Sequence, residues 1–141
     1  MVIGICGKIA SGKTEVMKIF VKRGFYPIYA DKIVHGLYKR GGKCSKKIAS
    51  VFGKEFLKKD GSVDRVKLRD VVFTDSRKLK IINRIVHPVV YSEITKVLKR
   101  VMKRKQKIAI ESAYFAKEFV QKFVDKIIWM KGRRKKLLVF W

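Results

Sequence analysis

The eight residues Gly7-Lys8-Ile9-Ala10-Ser11-Gly12-Lys13-Thr14 decide how this chain folds. They follow the pattern glycine, four residues, glycine, lysine, then serine or threonine, the spacing of a phosphate-cradling loop. Such a loop turns its backbone N–H groups onto phosphate oxygens, and Gly7 and Gly12 tolerate backbone angles that a Cβ would forbid. Lys13 reaches the β- and γ-phosphates as a point charge. Thr14 offers a hydroxyl to Mg²⁺. The helix that follows turns free N–H groups and a positive dipole end towards the anion. Working outward, Met1 to Cys6 (Met-Val-Ile-Gly-Ile-Cys) is a short apolar run suited to a buried parallel strand. Val16, Met17, Ile19, Phe20 and Val21, interleaved with Lys18, Lys22 and Arg23, keep helical spacing until Gly24 stops it. Strand, glycine loop, helix is the order that a P-loop requires.

The 141 residues suffice for one domain with a real core. A hydrophobic share of 48% excludes a disordered chain. The net charge of +25, from 36 Lys+Arg against 11 Asp+Glu, invites a polyanion: nucleic acid, membrane headgroups or a polyphosphate ligand. A generally basic surface is the alternative, favoured by the spread of lysines over the whole length. Two cysteines, Cys6 and Cys44, make no disulfide framework. Cys6, in the first strand, reads as a small buried hydrophobe. No metal-ligand spacing is present. A strand at the N-terminus leaves no room for a signal peptide, and no apolar run approaches the ~18 residues of a membrane span. The expected home is a reducing cytoplasm.

Along the chain, Gly24 to Tyr29 reads as a turn and a second strand, closed by Ala30-Asp31, with a helix over Lys32 to Tyr38. Asp31 thus stands at the carboxyl end of a strand, the edge where open α/β sheets bind ligands. It also suits the role of helix cap. His35, four residues on, shares its helix face. After the break Arg40-Gly41-Gly42, Lys43 to Phe52 is a basic amphipathic helix ended by Gly53. Lys59-Asp60-Gly61-Ser62 is a turn. Asp64 caps a helix bearing Leu68, Val71 and Val72, and Asp75 caps another bearing Leu79, Ile82 and Val86. His87-Pro88 is expected to interrupt that helix, because proline lacks a backbone donor. A further helix, with Val90, Ile94, Val97, Leu98 and Val101 on one stripe, is expected to run to about Lys105. Lys96 to Lys107 carries seven basic residues in twelve, either an anion landing strip or a solvated helix face. Lys107 to Glu111 reads as a third strand with Glu111 at its carboxyl end. A short helix follows over Ala116 to Phe123, then a fourth strand over Asp125 to Met130. Leu137 to Trp141 reads as a fifth strand, a helix turn, or the product of a truncated or shifted reading frame.

With these parts in place the sequence resembles the dephospho-coenzyme A kinase family. Gly4 to Thr14 is similar to the family's opening, with Lys8 and Ala10 in place of the usual glycines. Ala30-Asp31-Lys32-Ile33-Val34-His35 resembles its second-strand segment, with Tyr29 where the family has a first Asp. Asp60-Gly61-Ser62-Val63-Asp64-Arg65, then Leu68-Arg69 and Val72-Phe73, resembles the central helical signature. Leu79, Ile82-Asn83, Ile85 and His87-Pro88 continue it, and Ile110-Glu111-Ser112-Ala113 resembles the loop after the third strand.

The resemblance implies a kinase that uses ATP and Mg²⁺ and moves the γ-phosphoryl group to the ribose 3′-hydroxyl of dephospho-CoA. Gly7, Ala10, Ser11, Gly12, Lys13, Thr14 and Glu15 would hold ATP, with Thr14 on Mg²⁺. Asp31 would take or orient the hydroxyl proton, with Lys13 as the other catalytic residue. Lys32, His35, Arg65, Arg69, His87 and Glu111 would hold the acceptor, itself an anion suited to a basic pocket. The implied fold is α/β, a three-layer P-loop kinase-like parallel sheet from residues 1–42 and 106–141. An all-helical substrate-binding insertion fills 43–105. Near the family's acidic slot stands Lys117, with Glu118 one later. The family's arginine-bearing lid and last strand and helix are not found, and Arg133 and Arg134 stand too close to the fourth strand to serve. A fragment or decayed copy of weak activity is therefore expected. The competing readings are another small-molecule or nucleotide P-loop kinase, and a basic nucleic-acid-binding protein with an incidental loop. The second lacks any recognisable nucleic-acid module, so no specific nucleic-acid partner is expected, and oligomeric state is not legible.

Overall fold

Six consecutive buried residues, Val2–Gly7, form β1, a central strand of a parallel sheet. The computed structural model describes residues 1–8 and 10–131. Beside β1 lie β2 (Tyr26–Tyr29), β3 (Ile108–Ser112) and β4 (Lys126–Met130), in the order β2-β3-β1-β4. Every pairing is parallel, with Val2 beside Ile108, Tyr29 beside Glu111, and Gly7 beside Met130. Parallel strands buried on both faces read as unbroken apolar runs, and that explains Val-Ile-Gly-Ile-Cys. Pro27 sits in β2, an edge strand of the described sheet, where a missing N–H does least harm.

The two faces of β1 take different partners. Ile3 and Ile5 pack with Met17, Phe25 and Ala109 beneath α1 (Lys13–Lys22). On the opposite face Gly4 meets Phe115, and a Cβ there would lie 3.1 Å from the ring. So helix, sheet and covering segment make three layers. Gly24 ends α1 in a left-handed conformation (φ +83°), and Phe25 N–H returns to Phe20 O at 3.1 Å. Asp125 ties the strand starts together: its carboxylate accepts from Val2 N–H at 2.7 Å and its own N–H donates to Val2 O at 2.9 Å.

The described chain divides into two compact units, residues 1–30 with 94–131, and residues 31–93. The first holds the sheet, α1 and α6 (Lys117–Phe123). The helices between β2 and β3 are α2 (Ala30–Leu37), α3 (Lys43–Phe52), α4 (Arg65–Thr74) and α5 (Ser76–Met102). Among the described residues that insertion contains no strand beyond the isolated Leu57–Val63 bridge. The second unit has its own core, including Val34, Tyr38, Ile48, Leu68, Ile82 and Val90. Asp64 caps α4, its carboxylate accepting from Val66 and Lys67 N–H at 3.2 Å. Asp75 does the same for Arg77 N–H at 2.9 Å, at the start of α5.

Two expectations need correcting, and a third lies outside the described residues. Pro88 does not interrupt its helix: α5 runs unbroken for 27 residues and ends at Met102, short of Lys105. Val86, Val90, Ile94 and Leu98 keep one fully buried stripe across the proline, and packing along it outweighs the missing hydrogen bond. Asp31 does not cap from outside; α2 begins at Ala30, which puts Asp31 in its first turn. Leu137 to Trp141, Arg133 and Arg134 lie outside the described residues. No helix among those described is long and apolar enough to cross a membrane.

Candidate active site

Gly7 closes β1 and Lys13 opens α1, so the loop between them is spanned by five residues. Its shape is set by backbone angles that suit few residues. Gly12 has φ +88° and Ala10 has φ +61°, both left-handed. Alternating left-handed residues turn successive N–H groups to one side, making a concave anion nest. Ala10 adopts this conformation with a Cβ, at a cost of roughly 1–2 kcal/mol, and such strain concentrates at functional loops. A Cβ on Gly7 would lie 2.7 Å from Met130 O and 2.8 Å from Ser11 Oγ, so the turn closes only around a glycine.

Lys13 is 7% exposed, and its ammonium donates to Gly7 O and Lys8 O, both at 2.8 Å. It forms no ion pair among the described residues. A buried ammonium held by neutral carbonyls alone is under-compensated, and an anion would complete it. Ser11 Oγ is also buried and has no hydrogen-bond partner among the described residues. The N-terminus of α1 carries no side-chain cap, which leaves the N–H groups of its first turn for another acceptor. Thr14, exposed in that turn, forms no side-chain hydrogen bond among the described residues. Glu15 points outward and pairs with Lys18 at 2.8 Å. Together a buried cation, an orphan hydroxyl and an uncapped helix fit a polyphosphate. No cluster of three or more His, Cys, Asp or Glu among the described residues forms a metal cage, so Mg²⁺ would be held chiefly by Thr14, phosphate and water.

All four strands end at the same sheet edge as this loop, because the pairing is parallel. Glu111 is there, paired in register with Tyr29 on one side and Ile5 on the other. Next to it, Cys6 Sγ donates to Ala113 O at 3.3 Å, and burial pushes the Cys6 thiol pKa up. Asp31 follows β2 by two residues and is exposed.

The second unit has a site of its own. A cavity of about 600 Å³ is lined by His35, Tyr38, Arg40, Lys58, Asp60 and Arg65 among others. The Arg65 guanidinium lies 5.7 Å from the centre of the Tyr38 ring. Burial pushes the Tyr38 hydroxyl pKa well up. Of the expected acceptor residues, the cavity brings His35 and Arg65 together; Lys32, Arg69 and His87 are not in its lining. His87 is half-buried in mid-α5, with its ring 6.3 Å from that of Tyr91, and burial lowers its pKa. Sequence reasoning passed over Tyr38, Lys39, Arg40 and Lys58. The signal was present as two short basic runs, each beside a glycine turn.

Comparison with solved structures bears on the fold. A dephospho-CoA kinase from Campylobacter jejuni aligns with a TM-score of 0.68 at 20% identity, over 94% of this chain and 89% of that one. A Thermus thermophilus crystal structure aligns with a TM-score of 0.69 at 22% identity, over 92% and 64%. This is the P-loop kinase fold. Among curated proteins, the dephospho-CoA kinase of Aquifex aeolicus is 39% identical over 85 residues, 60% of this chain and 43% of the relative. That of Oceanobacillus iheyensis is 42% identical over 88 residues, covering 62% and 44%. These alignments span less than half the length of the curated relatives. The family model for dephospho-CoA kinase matches residues 1–136, nearly the full chain, and by that match the chain belongs to the dephospho-CoA kinase family.

Proposed function

We propose that this chain binds ATP in the Gly7–Thr14 loop and transfers the γ-phosphoryl group to the ribose 3′-hydroxyl of dephospho-CoA, the last step of coenzyme A synthesis. The observation that carries this reading is Lys13, buried on two loop carbonyls, together with Ser11 Oγ, buried with no hydrogen-bond partner among the described residues, in a chain of this family. In the reaction Lys13 lets go of a carbonyl and takes the β- and γ-phosphate oxygens. The N–H groups of Gly12 to Glu15 hold the phosphate chain at the helix start. A Mg²⁺ bound through Thr14 would neutralise charge shared by the β- and γ-oxygens. Asp31 accepts the 3′-hydroxyl proton as the oxygen bonds to the γ-phosphorus, and the bond to the ADP oxygen breaks. Glu111, at the carboxyl end of β3, would help to order water about a bound Mg²⁺. His35 and Arg65, which line one cavity, would meet the acceptor, whereas Lys32, Arg69 and His87 lie outside that lining.

Most of the rate is asked of positioning and electrostatics, since phosphoryl transfer leaves little covalent work to the protein. Cys6 and Cys44 are free buried thiols, in keeping with a reducing cytoplasm. The test is a coupled ADP-release assay with dephospho-CoA, nucleoside monophosphates and shikimate as rival acceptors. Dephospho-CoA should be preferred, and Lys13→Ala should lower kcat/KM by about a hundredfold or more. A preference for either rival would sink the acceptor assignment and leave the nucleotide site standing.

A further inference from the structure

The cavity lined by Tyr38 and Arg65 shares a wall with a second one. The second, about 650 Å³, is lined by Arg40, Ser45, Lys46, Ala49, Leu57 and Lys58, and also by Lys54 and Lys59. Arg40 and Lys58 line both. Five cations therefore surround the second cavity, and no Asp or Glu among the described residues lines it. Neither the Arg40 nor the Lys58 side chain forms an ion pair or hydrogen bond among the described residues. Asp60, on the first cavity, is already engaged: its carboxylate accepts from Ser62 N–H at 2.9 Å and Ser62 Oγ at 2.6 Å.

The wall is built into the turn. Lys58 N–H donates to Ser62 O at 2.8 Å and Gly61 N–H to Lys58 O at 2.9 Å, which closes the loop that presents Lys58. Gly61 has φ +82°, and a Cβ there would come within 3.1 Å of Arg40 Cγ. The Arg40 stem thus packs against a turn whose left-handed Gly61 would strain any side chain, and Arg40 lines both cavities. Two cations at a partition between two cavities match a ligand with a doubly charged centre and an extended group on each side. Arginine suits the phosphate oxygens bidentately, and lysine as a point charge.

We propose that Arg40 and Lys58 grip the diphosphate of dephospho-CoA, with its pantetheine arm along Ala49 and Leu57 in the second cavity and its adenosine end beside Tyr38 and Arg65 in the first. This rests on the acceptor proposed above and assigns the part of it that the reacting hydroxyl does not touch. Binding energy from that remote part would serve to fix the 3′-hydroxyl.

Calorimetric titration of the full chain tests the assignment, with ATP, dephospho-CoA and 4′-phosphopantetheine as probes. Arg40→Gln and Lys58→Gln, both at exposed positions, should each weaken dephospho-CoA about tenfold or more and leave ATP affinity within about twofold. 4′-Phosphopantetheine should compete with dephospho-CoA and lose affinity in the same variants. If dephospho-CoA binds and is phosphorylated but neither variant changes its affinity, the assignment fails while the proposed reaction stands. If the wild-type chain does not bind dephospho-CoA, both fail together. If a short RNA duplex displaces dephospho-CoA at equal phosphate concentration, the partition is a general polyanion surface and the assignment is wrong.

Discussion

At the scale of single residues, the loop pays for its readiness before any ligand arrives. Ser11 Oγ is buried without a partner among the described residues, and an unsatisfied buried hydroxyl costs about 1–3 kcal/mol. Ser11→Ala should therefore leave the ligand-free protein as stable or raise its unfolding midpoint, while ATP binding weakens several-fold. Urea unfolding and ATP titration on the same variant check the two halves. A loss of ligand-free stability would mean that the hydroxyl is satisfied in the folded chain and is not held for phosphate. His87 gives a second prediction of opposite kind. Burial lowers its pKa below the ordinary 6.5, so the folded state keeps it neutral where the unfolded chain would be protonated. The unfolded state then binds more protons just below pH 6.5. Stability is full above that value and falls as pH drops through the window beneath it. His87→Gln should flatten this slope between about pH 7 and 5, read from urea midpoints at each pH. An unchanged slope would assign the acid sensitivity elsewhere.

At the scale of elements, Pro88 is the instructive case. It sits twelve residues into a helix that continues for fourteen more. An interior proline forfeits one hydrogen bond and crowds the previous turn, at about 3 kcal/mol. Pro88→Ala should therefore stabilise the chain by about 1–3 kcal/mol, seen as a higher urea midpoint. Stability that drops instead would show that the proline sets a bend on which the core depends. The same helix shows where sequence was sufficient and where it was not. α3 is readable to the residue, because Gly42 and Gly53 bracket one clear apolar stripe. The strand–loop–helix start is equally legible, since its buried strand, glycines and lysine are local signals. Pro88 misled because a local rule was weighed against a stripe whose burial depends on distant chain. The partition of Arg40 and Lys58 was not visible for a related reason. The two residues are eighteen apart, and it is the folded turn at Lys58–Ser62, packed against the Arg40 stem at Gly61, that puts both on the same cavities.

At the scale of the whole molecule, the surplus of charge and the phosphate loop make separable claims. With 36 basic and 11 acidic residues, most cations have no acid to pair with, and they repel one another across the folded surface. Screening relieves this: the Debye length falls from about 30 Å at 0.01 M salt to about 8 Å at 0.15 M. The urea midpoint should rise over that range with sodium chloride alone, and rise equally in Lys13→Ala. Mg·ATP at fixed ionic strength should add a further step, about 2.7 kcal/mol at a hundred times its Kd, and Lys13→Ala should lose that step. Two variables thus read two features, self-repulsion spread over the surface and a nest at one helix end. If inorganic triphosphate or RNA at matched charge protected Lys13→Ala as well as ATP protects the wild type, the anion response would belong to the surface. The loop would then be a basic turn among many. If protection follows Lys13 and requires the nucleotide, +25 is a background on which one built site stands out.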